Sequence, residues 1–363
     1  MAYLYLENGV VFEGEFFGAE GSAAGEVVFS TNMTGYNETL TDKSFYGQIL
    51  LQTFPLTGGC GVIPEDFESD SPSVAAYIVK NPCDKPSNFR SEGSLGGFLK
   101  SRGVVGLCGI DTRALVETLR ENGTMNGGIS AVKPTRNDIE KLKHHRIENA
   151  VSSVAVKETV TYNAETPEYN AALMDLGANN SLIRALTARG VQLTADNELL
   201  SKLRKSPAPS FEKEGGGTRF DGVVLSGGPG DPAASENAGI IETLKAVIAA
   251  GIPIFAVGLG HQLLALAHGF GTYKMKLGHR GSNIPVKDLT DGRVYITREN
   301  HGYAVSRDSV DPDTASEWFV NINDKTCEGL IYKNISAFSV QFYPVGDTAF
   351  VIDRFISAMG GGR

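Results

Sequence analysis

The feature that most constrains this chain is a change of hydrophobic period near residue 170. Beyond it, short continuous apolar runs alternate with stripes of helical spacing. Residues 171–176 precede a helix around 182–188, and 220–226 precede a helix with Ile240, Ile241, Leu244, Val247 and Ile248 on one face. Residues 252–257 run directly into a helix at 261–267, and a last helix carries Phe350, Val351, Phe355, Ile356 and Met359. Buried strands joined by crossover helices require a mostly parallel sheet, with ligand sites off the carboxyl ends of its strands.

Before residue 150 the pattern is different. Leu4-Tyr5-Leu6, the turn Asn8-Gly9, and the runs 10–17 and 25–30 read as short strands and hairpins. One helix is expected after the N-cap Asp111, with Leu115, Val116 and Leu119 inward and Gly123 as its stop. The chain is therefore read as α/β: an N-terminal mixed domain over 1–150, a polar linker over 151–168, and a second domain over 169–363. The Lys/Pro/Ser/Gly-rich stretch 202–219 is expected as a surface loop. At 363 residues with 41% hydrophobic and 21% charged, the chain is long enough for two such cores.

The charge balance is 33 basic against 42 acidic residues, a net −9 without a basic block, which argues against nucleic acid or an anionic membrane as the main partner. No stretch approaches the roughly 20 apolar residues of a bilayer span, and no charged leader precedes an apolar segment, so a cytoplasmic protein is expected. Cys60, Cys83, Cys108 and Cys327 form no CxxC pair, which indicates neither a zinc knuckle nor a disulfide framework. His261, His279 and His301 stand in separate motifs without metal-ligand spacing, so no metal site is expected. His144-His145 lies in a charged run read as a solvated helix face, and Asp231 and Asp111 read as turn and cap residues.

Two motifs sit at strand ends. Val224-Leu225-Ser226 runs into Gly227-Gly228-Pro229-Gly230-Asp231-Pro232, which is either a tight turn or a set of backbone amides open to a ligand. It is neither a P-loop nor a dinucleotide fingerprint. The second, Pro253-Ile254-Phe255-Ala256-Val257-Gly258-Leu259-Gly260-His261-Gln262, is a buried strand turning sharply into a helix, the architecture of a nucleophile elbow. Its elbow residue is Gly258, which has nothing to attack with.

With these stand Gly25-Glu26-Val27-Val28-Phe29, Asn32-Met33-Thr34-Gly35-Tyr36-Asn37-Glu38 and Gly109-Ile110-Asp111-Thr112-Arg113 in the first half. Lys274-Met275-Lys276-Leu277-Gly278-His279-Arg280-Gly281 and Asn300-His301-Gly302-Tyr303-Ala304-Val305 follow in the second. In order and spacing, over nearly its whole length, the chain resembles the small, class I glutamine amidotransferase subunit of carbamoyl-phosphate synthetase.

The resemblance implies a Cys-His-Glu triad that hydrolyses glutamine by thiolate attack, with the imidazole moving protons and the carboxylate orienting it. The family's elbow reads Gly-Ile-Cys-Leu-Gly-His-Gln, and this chain has Gly258 in place of the cysteine. The family's downstream motif reads Gln-Gly-His-Pro-Glu-Ala, and this chain reads Gln341-Phe342-Tyr343-Pro344-Val345-Gly346. The triad positions are thus Gly258, Tyr343 and Val345. A phenol with a reference pKa of about 10 is a poor base near neutrality, and valine cannot orient an imidazole. No histidine follows His301. Glycine also relieves elbow strain of about 1–3 kcal/mol.

By the same resemblance the glutamine pocket is lined by Ser44, Gly228, Gly230, Leu259, Gln262, Asn300, Gly302 and Tyr303, all present. Either the turns and core need them, or glutamine still binds without being hydrolysed. Asn179 stands where the family has lysine, and Ile284 where it has histidine. The expected role is a non-hydrolytic small subunit on a large subunit. That partner, with ATP and a divalent metal, makes carbamoyl phosphate from bicarbonate and free ammonia, and no cofactor is expected in this chain. The arginine and pyrimidine pathways both stay open. Two other readings are a non-enzymatic glutamine-binding sensor or scaffold, and an amidotransferase-fold enzyme with a relocated nucleophile, Tyr343 or Cys327. Cys327 lies in a segment, 324–329, that reads as a turn.

Overall fold

The computed structural model describes residues 1–196 and 220–361, and the expected surface loop at 202–219 lies outside the described residues. The contacts separate two units, Met1–Ala150 with Lys276–Ser282, and Val151–Met275 with Asn283–Arg363.

The first unit holds β1 (Ala2–Leu6), β2 (Val11–Phe16), β3 (Ala23–Ser30), β4 (Gln48–Gln52), β5 (Leu56–Thr57), β6 (Ala76–Ile78), β7 (Asn81–Pro82), β8 (Val105–Cys108) and β9 (Met125–Ser130). Strands β1-β2-β8-β6-β4-β3-β9 close into a barrel, and β5 pairs with β7 in a separate ribbon. Closure leaves the barrel strands no exposed edge and gives the hairpins one interior. Ala2, Leu4 and Leu6 alternate inward along β1 to meet Ile49, Leu51, Ile78 and Leu107. The helix Thr112–Asn122 begins where expected: the Asp111 carboxylate accepts from the amides of Arg113 and Ala114, each at 3.1 Å, and Gly123 ends it at φ 91°.

The second unit is a ten-stranded sheet. Its strands are β10 (Val160–Tyr162), β11 (Tyr169–Met174), β12 (Val191–Ala195), β13 (Gly222–Leu225), β14 (Ile254–Val257), β15 (Thr272–Asp288, of which Lys276–Ser282 counts with the first unit), β16 (Val294–Val305), β17 (Ala315–Asn321), β18 (Cys327–Tyr332) and β19 (Ala337–Val340). The order is β10-β12-β11-β13-β14-β19-β18-β16-β15-β17. From β12 to β19 every pairing is parallel, and β19 to β18 starts the antiparallel part. Residues 151–168 are not the linker the sequence implied. Tyr162 packs on the core, and β10 pairs antiparallel with β12 as an edge strand.

Continuous apolar runs make sense here because both faces are covered. Ala172, Met174, Val223, Leu225, Ile254 and Ala256 face a core that includes Leu244, Val247, Leu259 and Leu263, from helices Ala238–Ala249 and Leu259–Ala267. The alternate residues Ala171, Leu173, Val224, Phe255 and Val257 face helices Asn180–Thr187 and Phe350–Gly360. Phe255 meets Phe338 and Phe355 at ring distances of 5.3 and 5.7 Å. Each such fully buried ring contributes about 1.5–3 kcal/mol. This layering holds the carboxyl ends of β11, β13, β14 and β19 side by side. Among the described residues no helix is long and apolar enough to cross a membrane.

Candidate functional site

All four residues of β14 are buried, and its last bond passes from Gly258 N to Val340 O at 2.9 Å. Gly258 then takes φ 57° and ψ −117°, and the helix Leu259–Ala267 starts at the next residue. That backbone is unfavourable for any residue with a Cβ, so glycine lowers the cost of the turn without changing its shape. A Cβ added at Gly258 would lie 3.2 Å from Gly227 Cα and 3.8 Å from Gln341 O, which leaves room for a side chain after a shift of a few tenths of an ångström. The elbow geometry is therefore present, with no side chain at its apex.

The segment after β19 has changed differently. Tyr343 is buried, and its ring lies 4.7 Å from the guanidinium carbon of Arg298. Its amide donates to Arg298 O at 3.0 Å, and Arg298 Nη2 donates to Ser181 Oγ at 3.2 Å. The position expected of a catalytic imidazole is thus an aromatic ring packed into the core under an arginine. Val345, half-buried, accepts through its carbonyl from the Thr348 hydroxyl at 2.9 Å and caps the turn Gly346–Thr348.

The topology gathers most of the expected pocket residues. Gly228 and Gly230 follow β13, Leu259 and Gln262 follow β14, and Asn300, Gly302 and Tyr303 lie on β16. Ser44 belongs to the first unit, buried in the turn Lys43–Phe45 with its amide on the Asp42 carboxylate at 2.9 Å. Gly228 has a purely steric reason to be glycine, since a Cβ there would stand 2.1 Å from Leu176 O. Gln262 donates through Nε2 to Tyr303 O at 2.6 Å and to Gln341 Oε1 at 2.8 Å, which ties the elbow helix to β16 and to the end of β19.

His261 is structural. It is fully buried with Nδ1 2.7 Å from Ser339 Oγ, and burial, with a smaller contribution from nearby His301, pushes it down to about 3. Cys327 opens β18 instead of sitting in a turn, because it is a fully buried member of the core, and burial pushes its thiol far up. A neutral thiol in that position is not a nucleophile.

Arg298 and Ser181 were not legible in the sequence, because only the fold lays β16 against the segment after β19. Asn179 departs from the family's lysine at the N-cap of helix Asn180–Thr187. Its side chain is buried, makes no capping bond, and has neither amide atom hydrogen-bonded.

Two family models match the chain: "Carbamoyl-phosphate synthase small chain, CPSase domain" over residues 4–129, and "Glutamine amidotransferase class-I" over 172–345. The carbamoyl phosphate synthase small chain of Symbiobacterium thermophilum is 40% identical, covering 97% of each chain. That of Clostridium perfringens is 42% identical, covering 98% of each. Among solved structures, a glutamine amidotransferase from Thermotoga maritima aligns over 53% of this chain and 82% of its own, with 17% identity and a TM-score of 0.38.

Proposed function

The chain belongs to the carbamoyl-phosphate synthase small chain family, and we propose that it is a small subunit that no longer hydrolyses glutamine. The observation that carries this reading is the pairing of an elbow of nucleophile geometry with Gly258 at its apex and the Tyr343–Arg298 stack beside it. Glutaminase chemistry of this type needs an attacking thiolate, a base for its proton and a partner that steadies the resulting imidazolium. Gly258 offers no atom for a covalent bond, Tyr343 holds its ring against a cation, and Val345 has no polar side-chain atom. Losing the nucleophile alone costs a triad enzyme about 10⁶-fold in turnover.

In this reading the chain docks on a large subunit that carries the chemistry with ATP and a divalent metal, and free ammonia supplies the nitrogen. Family membership supports the partner, and the absence of any P-loop motif in the sequence agrees with nucleotide binding elsewhere. The test is carbamoyl phosphate formation by the copurified pair with glutamine or ammonium as sole nitrogen donor. Ammonium alone is expected to support it, and glutamine-dependent formation that survives removal of contaminating glutaminase overturns the proposal.

A second reading, a glutamine-binding sensor, draws support from Asn179, whose buried amide keeps unused hydrogen-bonding capacity at the carboxyl edge of the sheet. Glutamine should then raise the melting temperature of the full chain, and Asn179→Leu should abolish the rise. A melting temperature indifferent to millimolar glutamine removes this reading and leaves the first untouched.

A further inference from the structure

Strand β16 carries Thr297, Glu299 and His301 at alternate positions, hence on one face, and all three are buried. Strand β18 brings the fully buried Glu328 to the same point. His301 Nε2 lies 3.1 Å from Glu299 Oε2 and 4.0 Å from Glu328 Oε2, and the three donor atoms fall within 4.8 Å of one another. The other oxygen of each carboxylate is held by a threonine hydroxyl, Thr297 to Glu299 Oε1 at 2.6 Å and Thr326 to Glu328 Oε1 at 2.7 Å. Each carboxylate therefore turns its second oxygen towards the imidazole.

Nδ1 of His301 lies 2.8 Å from Tyr303 O, which can only accept, so Nδ1 donates there and Nε2 is the ring nitrogen that faces the two carboxylates. One imidazole nitrogen and two carboxylate oxygens thus converge on one buried point, a donor set that a divalent cation takes.

We propose that Glu299, His301 and Glu328 form a divalent-cation site selective for zinc. One imidazole nitrogen and two carboxylate oxygens suit zinc better than magnesium, which favours an all-oxygen octahedron. The 3.1 and 4.0 Å separations straddle the spacing of about 3.4 Å that tetrahedral bonds of about 2.1 Å require. The Tyr303 carbonyl and the two threonine hydroxyls supply the outer contacts that orient metal ligands. The ion would fasten β16 to β18 next to Asn300 and Gly302. Glu328 O also accepts from Gln341 N at 2.9 Å, so the same clamp would brace the segment after β19.

The test uses the full-length, tag-free chain with the His144-His145 pair changed to asparagine, stripped of metal, loaded with zinc and passed through gel filtration. About one zinc per chain and a higher melting temperature are expected. Glu299→Gln and Glu328→Gln, which preserve volume, should each weaken binding at least about tenfold, and Thr326→Val less. No retained zinc, or retention unaffected by either glutamine substitution, overturns the proposal. Cobalt(II) loading needs no site variant. The strong visible bands of a four- or five-coordinate ion are expected, and the weak spectrum of the hydrated ion refutes the site.

Discussion

The elbow after β14 and the segment after β19 follow neighbouring strands of the same sheet, and they differ from a Cys-His-Glu site in opposite ways. At the elbow the backbone keeps its demanding conformation and the side chain is gone. After β19 the side chains remain large but are turned to packing, with Tyr343 in the core and under Arg298. The shape of a site depends on the strand, the helix and the cores behind them, and these are indifferent to one reactive atom. Its reactivity depends on a few polar side chains, which can differ while the packing beneath them stays the same.

The most severe challenge to this comparison is to restore the chemistry. If the elbow still presents its side chain, the triple variant Gly258→Cys, Tyr343→His, Val345→Glu should release glutamate from glutamine at least about 10³-fold faster than the parent chain. A folded triple variant without activity, regained on also replacing Arg298 with serine, would place the obstruction in the segment after β19.

The second challenge concerns the support beneath both regions. His261, in the first turn of the elbow helix, reaches Ser339 on β19 and is neutral when folded, with a folded pKa of about 3 against about 6.5 unfolded. The unfolded chain therefore takes up this proton first. The stability contributed by the neutral ring is complete above about pH 6.5 and is lost as pH falls towards 3, by up to about 1.4 kcal/mol per pH unit. Denaturant unfolding at pH 7 and pH 5 should show the loss, and His261→Gln should remove that part of it.

Smaller effects separate the two regions directly. Gly258→Ala should lower stability by about 1–3 kcal/mol, because the elbow keeps a positive φ and the new Cβ meets Gly227. A neutral result would show that the elbow relaxes. Arg298→Ala should cost about 0.5–2 kcal/mol through loss of the stack on Tyr343, with a blue-shifted tyrosine absorbance as the ring gains water. An unchanged spectrum would mean that the ring is held by the core alone.

Period and punctuation in the sequence were enough to find the strand-to-helix units of the second half, the helix between Asp111 and Gly123, and the elbow itself, because these depend on neighbours within a few residues. The residue types at the elbow and after β19 were legible for the same reason: glycine and valine lack a nucleophilic or carboxylate atom in any fold. The edge strand β10 was missed because its three residues are too short and too polar for a periodic signal. The assignment of Lys276–Ser282 to the first unit was also hidden, since long-range contact leaves no local trace.

What the sequence determined by itself is the class of fold and which residue types stand at the elbow and after β19, both properties of residue type and spacing along the chain. Tertiary structure decided what surrounds those positions. Arg298 reaches Tyr343 and Ser181, and Glu328 reaches His301, only because β16 and β18 are laid beside the parallel strands. Close-packed cores fix those distances to fractions of an ångström, whereas a hydrophobic pattern specifies only which face of each strand turns inward.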